Sequence, residues 1–195
     1  TTSGNKSFIA MLIFIISMVL LYGANATYHS VNLSGKHLRI FRKIDHMMIF
    51  VLIAGSYTPV CMLVLEEEKG YPLLALVWGT AIAGMLIKFF WVTCPKWFSS
   101  VIYIAMGWEC VLVFRPLLDT LPTGAFLWLL IGGLIYTVGG VIYALKIPFL
   151  DKLHKHFGLH EIFHLFIMAG SFCHFIFMCF LKFQIVHVLC CRFHT

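Results

Sequence analysis

Apolar residues occur along this chain in six long blocks, and short polar connectors separate the blocks. The blocks cover residues 7–28, 45–65, 71–91, 97–114, 123–145 and 158–181. Each block has about the 17–25 residues that an α-helix needs to cross a bilayer. The pattern predicts an all-α fold, a polytopic membrane helical bundle with six spans. The short connectors predict a single transmembrane domain over residues 1–195.

Composition also indicates a membrane protein. Hydrophobic residues make up 61% of the 195 residues and charged residues 11%, whereas a soluble domain has about 25% charged residues. The net charge of +6 therefore bears on membrane topology and anionic lipid. Membrane lipids are the expected partners, nucleic acid is not expected, and the oligomeric state is left open. The seven cysteines include no C-x-x-C pair and are expected to be free thiols.

Proline and glycine mark two details inside the predicted spans. Pro59 interrupts the second span late, where a kink is expected because proline lacks the backbone N–H. In the fifth span a pair of glycines, Gly132 and Gly133, recurs seven residues later as Gly139 and Gly140. That spacing predicts a face of small residues packed against a neighbouring helix.

Lysine and arginine are distributed unequally between the two sides of the predicted bundle. The connectors after the first, third and fifth spans hold nine of them, and the other side holds five. Because positive charges are enriched in cytoplasmic loops, the connectors after the first, third and fifth spans are expected in the cytoplasm. The start of the chain is then expected outside. The expected location is the cell (plasma) membrane, as a multi-pass protein. Since the chain begins with Thr1, a preceding segment is also expected.

The stretch HEIFH, from His160 to His164, carries the candidate chemistry. Histidines four residues apart share a helix face, with Cβ atoms about 5–6 Å apart. Two such imidazoles can bind one zinc ion, about 2.0–2.1 Å from each nitrogen. By the predicted topology, His29 and Asp45 lie at the same cytoplasmic end. Ionisable groups at membrane depth are costly and usually mark function, so these four residues predict one site.

This group could form a hydrolytic zinc site near the cytoplasmic face. His29 would be the third ligand, and three protein ligands leave the fourth position for water, as in catalytic zinc sites. Zinc lowers the pKa of bound water towards about 7, and Asp45 could accept a hydrogen bond from that water or orient an imidazole. Zn2+ is therefore the expected cofactor. The alternative for any one of these histidines taken alone is an ordinary interfacial residue.

Two glutamates and one further histidine lie outside this set of ligands. Glu161 would be the general base in a soluble zinc protease, but it lies about 100° around the helix from His160 and could face the cytoplasmic loop. Glu109 is expected to be buried in the fourth span, where no motif explains it and no partner can be named. His174 lies about 15 Å along the helix from His164, too deep to join the site.

Three stretches resemble the hemolysin III family, the bacterial branch of the membrane proteins that include the adiponectin and progestin receptors (PAQR proteins). They are NATYHS at the end of the first span, IDHMMIFVLIAGSYTPVCM in the second and GLHEIFHLFIMAGSFCHF near the end of the chain. The chain also looks similar to alkaline ceramidases. The resemblance implies a seven-helix bundle with a zinc site near the cytoplasmic face, and hence one helix before the first span.

The resemblance implies zinc ligands at His29, His160 and His164 and places the family's aspartate at Asp45. The family commonly has a serine four residues before the first of these histidines, and this sequence has Asn25 there. The Asn25 amide can donate or accept a hydrogen bond, although it cannot act as a serine hydroxyl. The candidate catalytic residues are Asp45, Asn25 and Glu161.

The leading interpretation is an integral membrane zinc hydrolase that acts on an amide or ester bond of a lipid, as the resemblance to ceramidases implies. The alternative is a non-enzymatic receptor-like or pore-forming (cytolytic) protein, in which a structural zinc ties helices together. An intramembrane zinc protease is a third interpretation. Against it, no downstream aspartate motif follows His164.

Overall fold

The computed structural model describes residues 2–30, 35–91, 95–145 and 158–192, and every regular element within these ranges is helical. Within these ranges, six helical stretches are long and apolar enough to cross a membrane. They are Gly4–Tyr28, Ile40–Val64, Glu67–Phe90, Trp97–Thr120, Thr123–Leu145 and Leu159–Phe183. The predicted all-α membrane fold with six spans is therefore confirmed. The additional helix expected before the first span and the single domain stay predictions.

The helices are numbered α1 to α7 in chain order. Their bounds are α1 Thr2–Ser30, α2 Lys36–Pro59, α3 Glu67–Phe90, α4 Lys96–Gly107, α5 Phe114–Thr120, α6 Thr123–Leu145 and α7 Leu159–Arg192. A π-helical turn, Val60–Val64, continues α2, and a 3₁₀-helical turn, Glu109–Val113, connects α4 to α5. The second and fourth spans therefore each contain a stretch of irregular helix.

The π-helical turn begins directly after Pro59, where the sequence predicts a kink. Proline cannot donate the hydrogen bond that an α-helix uses at this point. At the end of the turn the Leu65 N–H donates to the Val60 carbonyl, five residues earlier, at 3.2 Å. The irregularity is thus found at the expected residue and takes the form of a wider helical turn.

The helices group into two compact units, Thr1–Val113 and Phe114–Thr195. In the first unit α2 packs against both α1 and α3. Glycine permits these close approaches, because a Cβ atom added at Gly55 of α2 would meet Ser17 of α1, and one added at Gly84 of α3 would meet the Phe50 ring. Phe50 is completely buried, so α2 is the central helix of this unit.

In the second unit α6 packs along α7. A Cβ atom added at Gly139 would lie 2.5 Å from the Cβ of Phe166, and one added at Gly132 would lie 3.0 Å from the His174 ring. One added at Gly133 would meet no atom within 4 Å among the described residues. The predicted glycine face is therefore confirmed for Gly132 and Gly139 but not for Gly133, since neighbouring residues point about 100° apart around a helix.

Candidate metal centre

His160 and His164 are brought together by the first turns of α7. Their ring centroids lie 4.5 Å apart, with the ring planes inclined at 76°. His164 is buried and His160 is half-buried. A spacing of four residues on one helix predicts this proximity, so the two imidazoles of the HEIFH stretch do share one face.

Glu161 contacts the start of its own helix. Its Oε2 atom accepts a hydrogen bond from the Gly158 backbone N–H at 2.8 Å. A glutamate at the third residue of a helix often binds the N–H of the residue before the helix in this way. The Gly158-x-x-Glu161 spacing was visible in the sequence, but this capping role was not predicted from it. The contact orients the turn that carries His160, and catalysis by Glu161 stays a prediction.

Stacked rings hold α7 against α6 beside the histidine pair. The Phe163 ring stacks on Tyr143 of α6 with centroids 4.6 Å apart, and the His164 ring lies 5.9 Å from the Phe163 ring. Phe163 is only 3% exposed. Such stacked aromatic pairs add to the stabilisation that burial gives, so this contact limits rotation of the turn that carries the histidines.

Asp45 lies in α2 and is completely buried. Its Oδ1 atom accepts a hydrogen bond from the side-chain amide of Asn25 in α1 at 3.3 Å, and its Oδ2 atom lies 3.6 Å from Nδ1 of His46. A buried carboxylate requires such polar partners. The contact between Asn25 and Asp45 was not predicted from the sequence, because contacts between spans depend on the rotation of each helix about its axis.

The turn of α2 around Asp45 is held by two further contacts. Nδ1 of His46 lies 2.8 Å from the Arg42 carbonyl oxygen, one turn earlier. The hydroxyl of Tyr103 in α4 donates to the His46 carbonyl at 2.9 Å. The contact of Tyr103 ties α2 to α4, and both contacts hold the backbone next to Asp45 in place.

Asp45, His160 and His164 form a group that could hold a metal ion. Each offers one ligand atom, and these atoms lie within 4.8 Å of one another. Two ligands of one zinc ion, each about 2.0–2.2 Å from it, lie at most about 4.4 Å apart, so the group is close to the size that a metal ion requires. Imidazole nitrogen and carboxylate oxygen are both ligands that zinc accepts. The residues therefore fit the expected cofactor in their chemistry.

The group differs in one respect from the ligands expected from the sequence. It contains Asp45, which the sequence placed beside the metal. His29, the third expected imidazole, belongs to α1, but its side chain lies outside the described residues. The assignment of His29 as a ligand therefore stays a prediction.

Comparisons with known proteins cover almost the whole chain. Residues 1–175 match the family described as "Haemolysin-III related". The protein named Hemolysin-3 of Bacillus cereus is 36% identical over 164 residues, which are 84% of this chain and 70% of that protein. Hemolysin-3 homolog of Bacillus subtilis (strain 168) is 36% identical over 163 residues, 84% of this chain and 72% of that protein. The Adiponectin receptor protein of Drosophila melanogaster is more distant, 22% identical over 177 residues, 83% of this chain and 40% of that protein.

The region that the family model matches, residues 1–175, includes five of the six spanning helices in full and the sixth as far as Phe175. It also includes the three residues of the candidate metal group. The resemblance noted in three short stretches thus extends over most of the chain. The chain belongs to the haemolysin-III-related family of membrane proteins.

Proposed function

We propose that this protein is an integral membrane zinc hydrolase that cleaves an amide or ester bond in a lipid. The observation that carries the proposal is the group of Asp45, His160 and His164, whose ligand atoms lie within 4.8 Å of one another in helices long enough to cross a membrane. Ionisable residues are rare in such helices and usually serve a function. Two imidazoles with a carboxylate beside them suit a zinc site, because a carboxylate can orient a ligand imidazole or a bound water.

In this proposal the metal is held by His160 and His164, with His29 as the third imidazole. Bound zinc would supply a Lewis acid that polarises a carbonyl group and makes water more acidic. Asp45 would take up the proton that water loses during hydrolysis. General acid–base help of this kind contributes typically about 10²–10⁴-fold to the rate.

Asn25 and Glu161 would act by positioning other groups. The Asn25 amide holds Oδ1 of Asp45, so it fixes the direction in which the carboxylate points. Glu161 holds the start of α7 through the Gly158 N–H, so it fixes the turn that carries His160. Such contacts act on metal affinity or activity through the groups that they orient.

A lipid is the proposed substrate class because the helix of the histidine pair has an apolar outer face. Leu165, Met168 and Phe172 are all exposed on α7 within the turns that follow His164. Their spacing of three and four residues places them on one side of the helix. An acyl chain could lie along this face while the polar bond of the lipid reaches the histidines.

The test measures metal and hydrolysis on the same purified protein. We expect about one zinc ion per chain and release of fatty acid from at least one member of a panel of ceramides and other lipids. Chelation should stop the release, and added zinc should restore it. His164→Ala should lose most of the metal, whereas His174→Ala, a buried histidine of the same helix expected outside the site, should keep it. Full zinc content in a variant lacking both His160 and His164 would contradict the proposal.

The face of the membrane is tested separately. The distribution of lysine and arginine supports a zinc site near the cytoplasmic side of the plasma membrane, with His37 inside and Glu68 outside. Single cysteines at these two exposed positions, on a background without native thiols, can be labelled with an impermeant reagent. Labelling at position 37 from outside intact cells would reverse the orientation.

A second candidate function is a non-enzymatic cytolytic or receptor-like protein with a structural metal. The name of the Bacillus cereus relative, Hemolysin-3, favours it. In this case the purified protein would permeabilise lipid vesicles or respond to a ligand, and it would release no fatty acid from any lipid of the panel. Removal of the metal would then lower the unfolding temperature of a protein that has no hydrolytic activity to lose.

A further inference from the structure

Glu109 lies in the middle of the fourth span, twelve residues from Trp97 and eleven from Thr120. Its Oε1 atom lies 3.0 Å from Oγ1 of Thr80, which is near the middle of α3. Its Oε2 atom is buried and has no hydrogen-bond partner among the described residues. Both groups are thus far from the ends of their spans, at a depth where an ionised side chain is costly.

The hydroxyl group of Thr80 has three oxygen neighbours but only one proton. Its Oγ1 atom lies 3.1 Å from the Leu76 carbonyl oxygen, 3.0 Å from the Val77 carbonyl oxygen and 3.0 Å from Oε1 of Glu109. A hydroxyl donates one hydrogen bond and accepts two. Threonine in a helix often donates to a carbonyl of the preceding turn. When Thr80 does so, the proton between Thr80 and Glu109 must belong to Glu109.

The neutral form of Glu109 leaves fewer groups without partners than the ionised form. As an acid, Glu109 donates to Thr80, Thr80 donates to its own helix, and only the carbonyl-like Oε2 lacks a hydrogen bond. As an ion, Glu109 requires Thr80 to turn towards it, and the buried Oε2 then shares a negative charge without a donor. A buried uncompensated charge is far more costly than an unpaired carbonyl oxygen, and such groups neutralise instead.

The break in the fourth span is satisfied without the Glu109 carboxyl group. α4 ends at Gly107, whose carbonyl accepts a hydrogen bond from the Tyr57 hydroxyl at 2.7 Å. The same hydroxyl accepts a hydrogen bond from the Cys110 N–H at 2.9 Å. Tyr57 therefore binds both backbone groups, and the carboxyl group is not needed to cap a helix. Interrupted spanning helices are where many transporters bind ions.

No charged side chain faces Glu109 in the part of the chain that the structure describes. The titratable groups near it are Tyr57 of α2 and Cys110 of its own turn, and both types are neutral in water at neutral pH. The indole N–H of Trp78, on α3, donates to Thr58 at 3.2 Å. Thr80 is therefore the group to which a protonated Glu109 can donate a hydrogen bond.

We propose that Glu109 is a proton-binding site in the membrane interior. At neutral pH it is a carboxylic acid that donates a hydrogen bond to Thr80. When it releases its proton to water, the Thr80 hydroxyl turns from its own helix and donates to the carboxylate that remains. The ligand is a proton, the site is built from the break in the fourth span and from α3, and it uses none of the residues of the metal group.

Dicyclohexylcarbodiimide tests the proposal on the full chain, because this membrane-soluble reagent modifies protonated carboxylic acids. We expect Glu109 to be modified at about pH 7, where an ordinary glutamate with a pKa of about 4.3 is ionised, and less as the pH rises. Glu109→Gln should lose the modification. Glu67 and Glu68, which are exposed, are the internal control and should react with a water-soluble carbodiimide only.

Infrared spectroscopy gives the second measurement and decides the matter if the reagent does not reach the site. We expect the C=O band of a protonated acid at neutral pH, absent from Glu109→Gln, shifted in Thr80→Val and retained in Thr80→Ser. Absence of that band in the unmodified protein would overturn the proposal. Loss of the band or of the modification on adding sodium, at constant pH and ionic strength, would overturn it in favour of a metal-cation site.

Discussion

Asp45 and Glu109 are both carboxyl side chains inside spanning helices of the first unit, yet their surroundings differ. Asp45 is completely buried, accepts a hydrogen bond from Asn25, lies beside His46 and belongs to the candidate metal group. Glu109 is half-buried, and among the described residues its carboxyl group has one hydrogen-bond partner, the Thr80 hydroxyl. Asp45 thus has an amide donor and a nearby imidazole, whereas the partner of Glu109 is a hydroxyl that can either donate or accept a hydrogen bond.

The comparison shows how partners decide what a membrane carboxyl group can do. Amide groups, and above all a metal ion, stabilise a negative charge, so the Asp45 site suits the carboxylate that the proposed hydrolysis requires. A single hydroxyl cannot offset the cost of a charge in the middle of a membrane, so the Glu109 site suits a neutral acid. The same chemical group therefore supports two different proposals in one chain.

The largest effect is expected from removing the charge of Asp45. Asp45→Asn keeps the shape of the side chain, so the protein should fold and retain zinc at saturating metal. Turnover of the lipid substrate should fall by about 10²–10⁴-fold, which corresponds to roughly 3–5 kcal/mol of activation free energy. Rates of fatty-acid release and zinc content, measured on the same samples, check this result.

Glu109→Gln is the matched control for that substitution, since it also replaces a carboxyl group inside a spanning helix by an amide. It should leave turnover within about threefold of the unmodified protein, because Glu109 belongs to no described contact of the metal group, and sites without shared partners couple by about 0.5 kcal/mol or less. Undiminished turnover in zinc-loaded Asp45→Asn would make Asp45 structural and transfer the role of base to Glu161. A large loss of turnover in Glu109→Gln would mean that the two carboxyl groups act together.

The next effect concerns the packing of α3, the helix that presents Thr80 to Glu109. A Cβ atom added at Gly70 would meet the Cys61 backbone carbonyl in the π-helical turn, whereas one added at Gly79 would meet no atom within 4 Å among the described residues. Gly70→Ala should therefore lower the free energy of unfolding by about 1–3 kcal/mol. Gly79→Ala should leave it unchanged or raise it slightly, because alanine favours helices.

Thermal unfolding in detergent measures both glycine variants, and zinc content shows whether the metal group is affected. Equal unfolding temperatures for the two variants would show that the close approach at Gly70 does not constrain α3. A change in zinc content in Gly70→Ala would show that the metal group of Asp45 depends on the packing of α3, the helix that contacts Glu109.

The sequence predicts the positions of these residues along the helices better than their contacts across helices. Hydropathy and length locate the six spans, and a spacing of four residues brings the His160 and His164 rings to 4.5 Å. Neither contact of the two carboxyl groups, with Asn25 or with Thr80, was predicted. The spans are apolar on nearly all sides, so their sequence pattern does not reveal which side of one helix faces another.

A smaller effect is expected at Asn25, which holds the Asp45 carboxylate. The hydrogen bond is long, 3.3 Å, so its removal in Asn25→Ala should cost about 0.5–1.5 kcal/mol, or roughly 2–12-fold in turnover. Asn25→Ser, which carries the residue expected from the resemblance, should recover part of the rate. Steady-state kinetics at saturating zinc check both variants, and a loss as large as that of Asp45→Asn would mean that Asn25 contacts the substrate.

The smallest effect is expected at Glu161, a third carboxyl group. Its role is structural if it acts only through its hydrogen bond with the Gly158 N–H. Glu161→Gln keeps an oxygen that can accept this hydrogen bond, so turnover should stay within about twofold of the unmodified protein, since glutamine also serves in the capping box. Glu161→Ala should lower the free energy of unfolding by about 0.5–2 kcal/mol, as loss of a helix cap does, and should reduce turnover only as far as the turn of His160 loosens. A soluble zinc protease would lose its general base in both variants. If Glu161→Gln abolishes turnover while zinc is retained, the HEIFH stretch performs its chemistry through Glu161, and Asp45 becomes the residue that positions the metal.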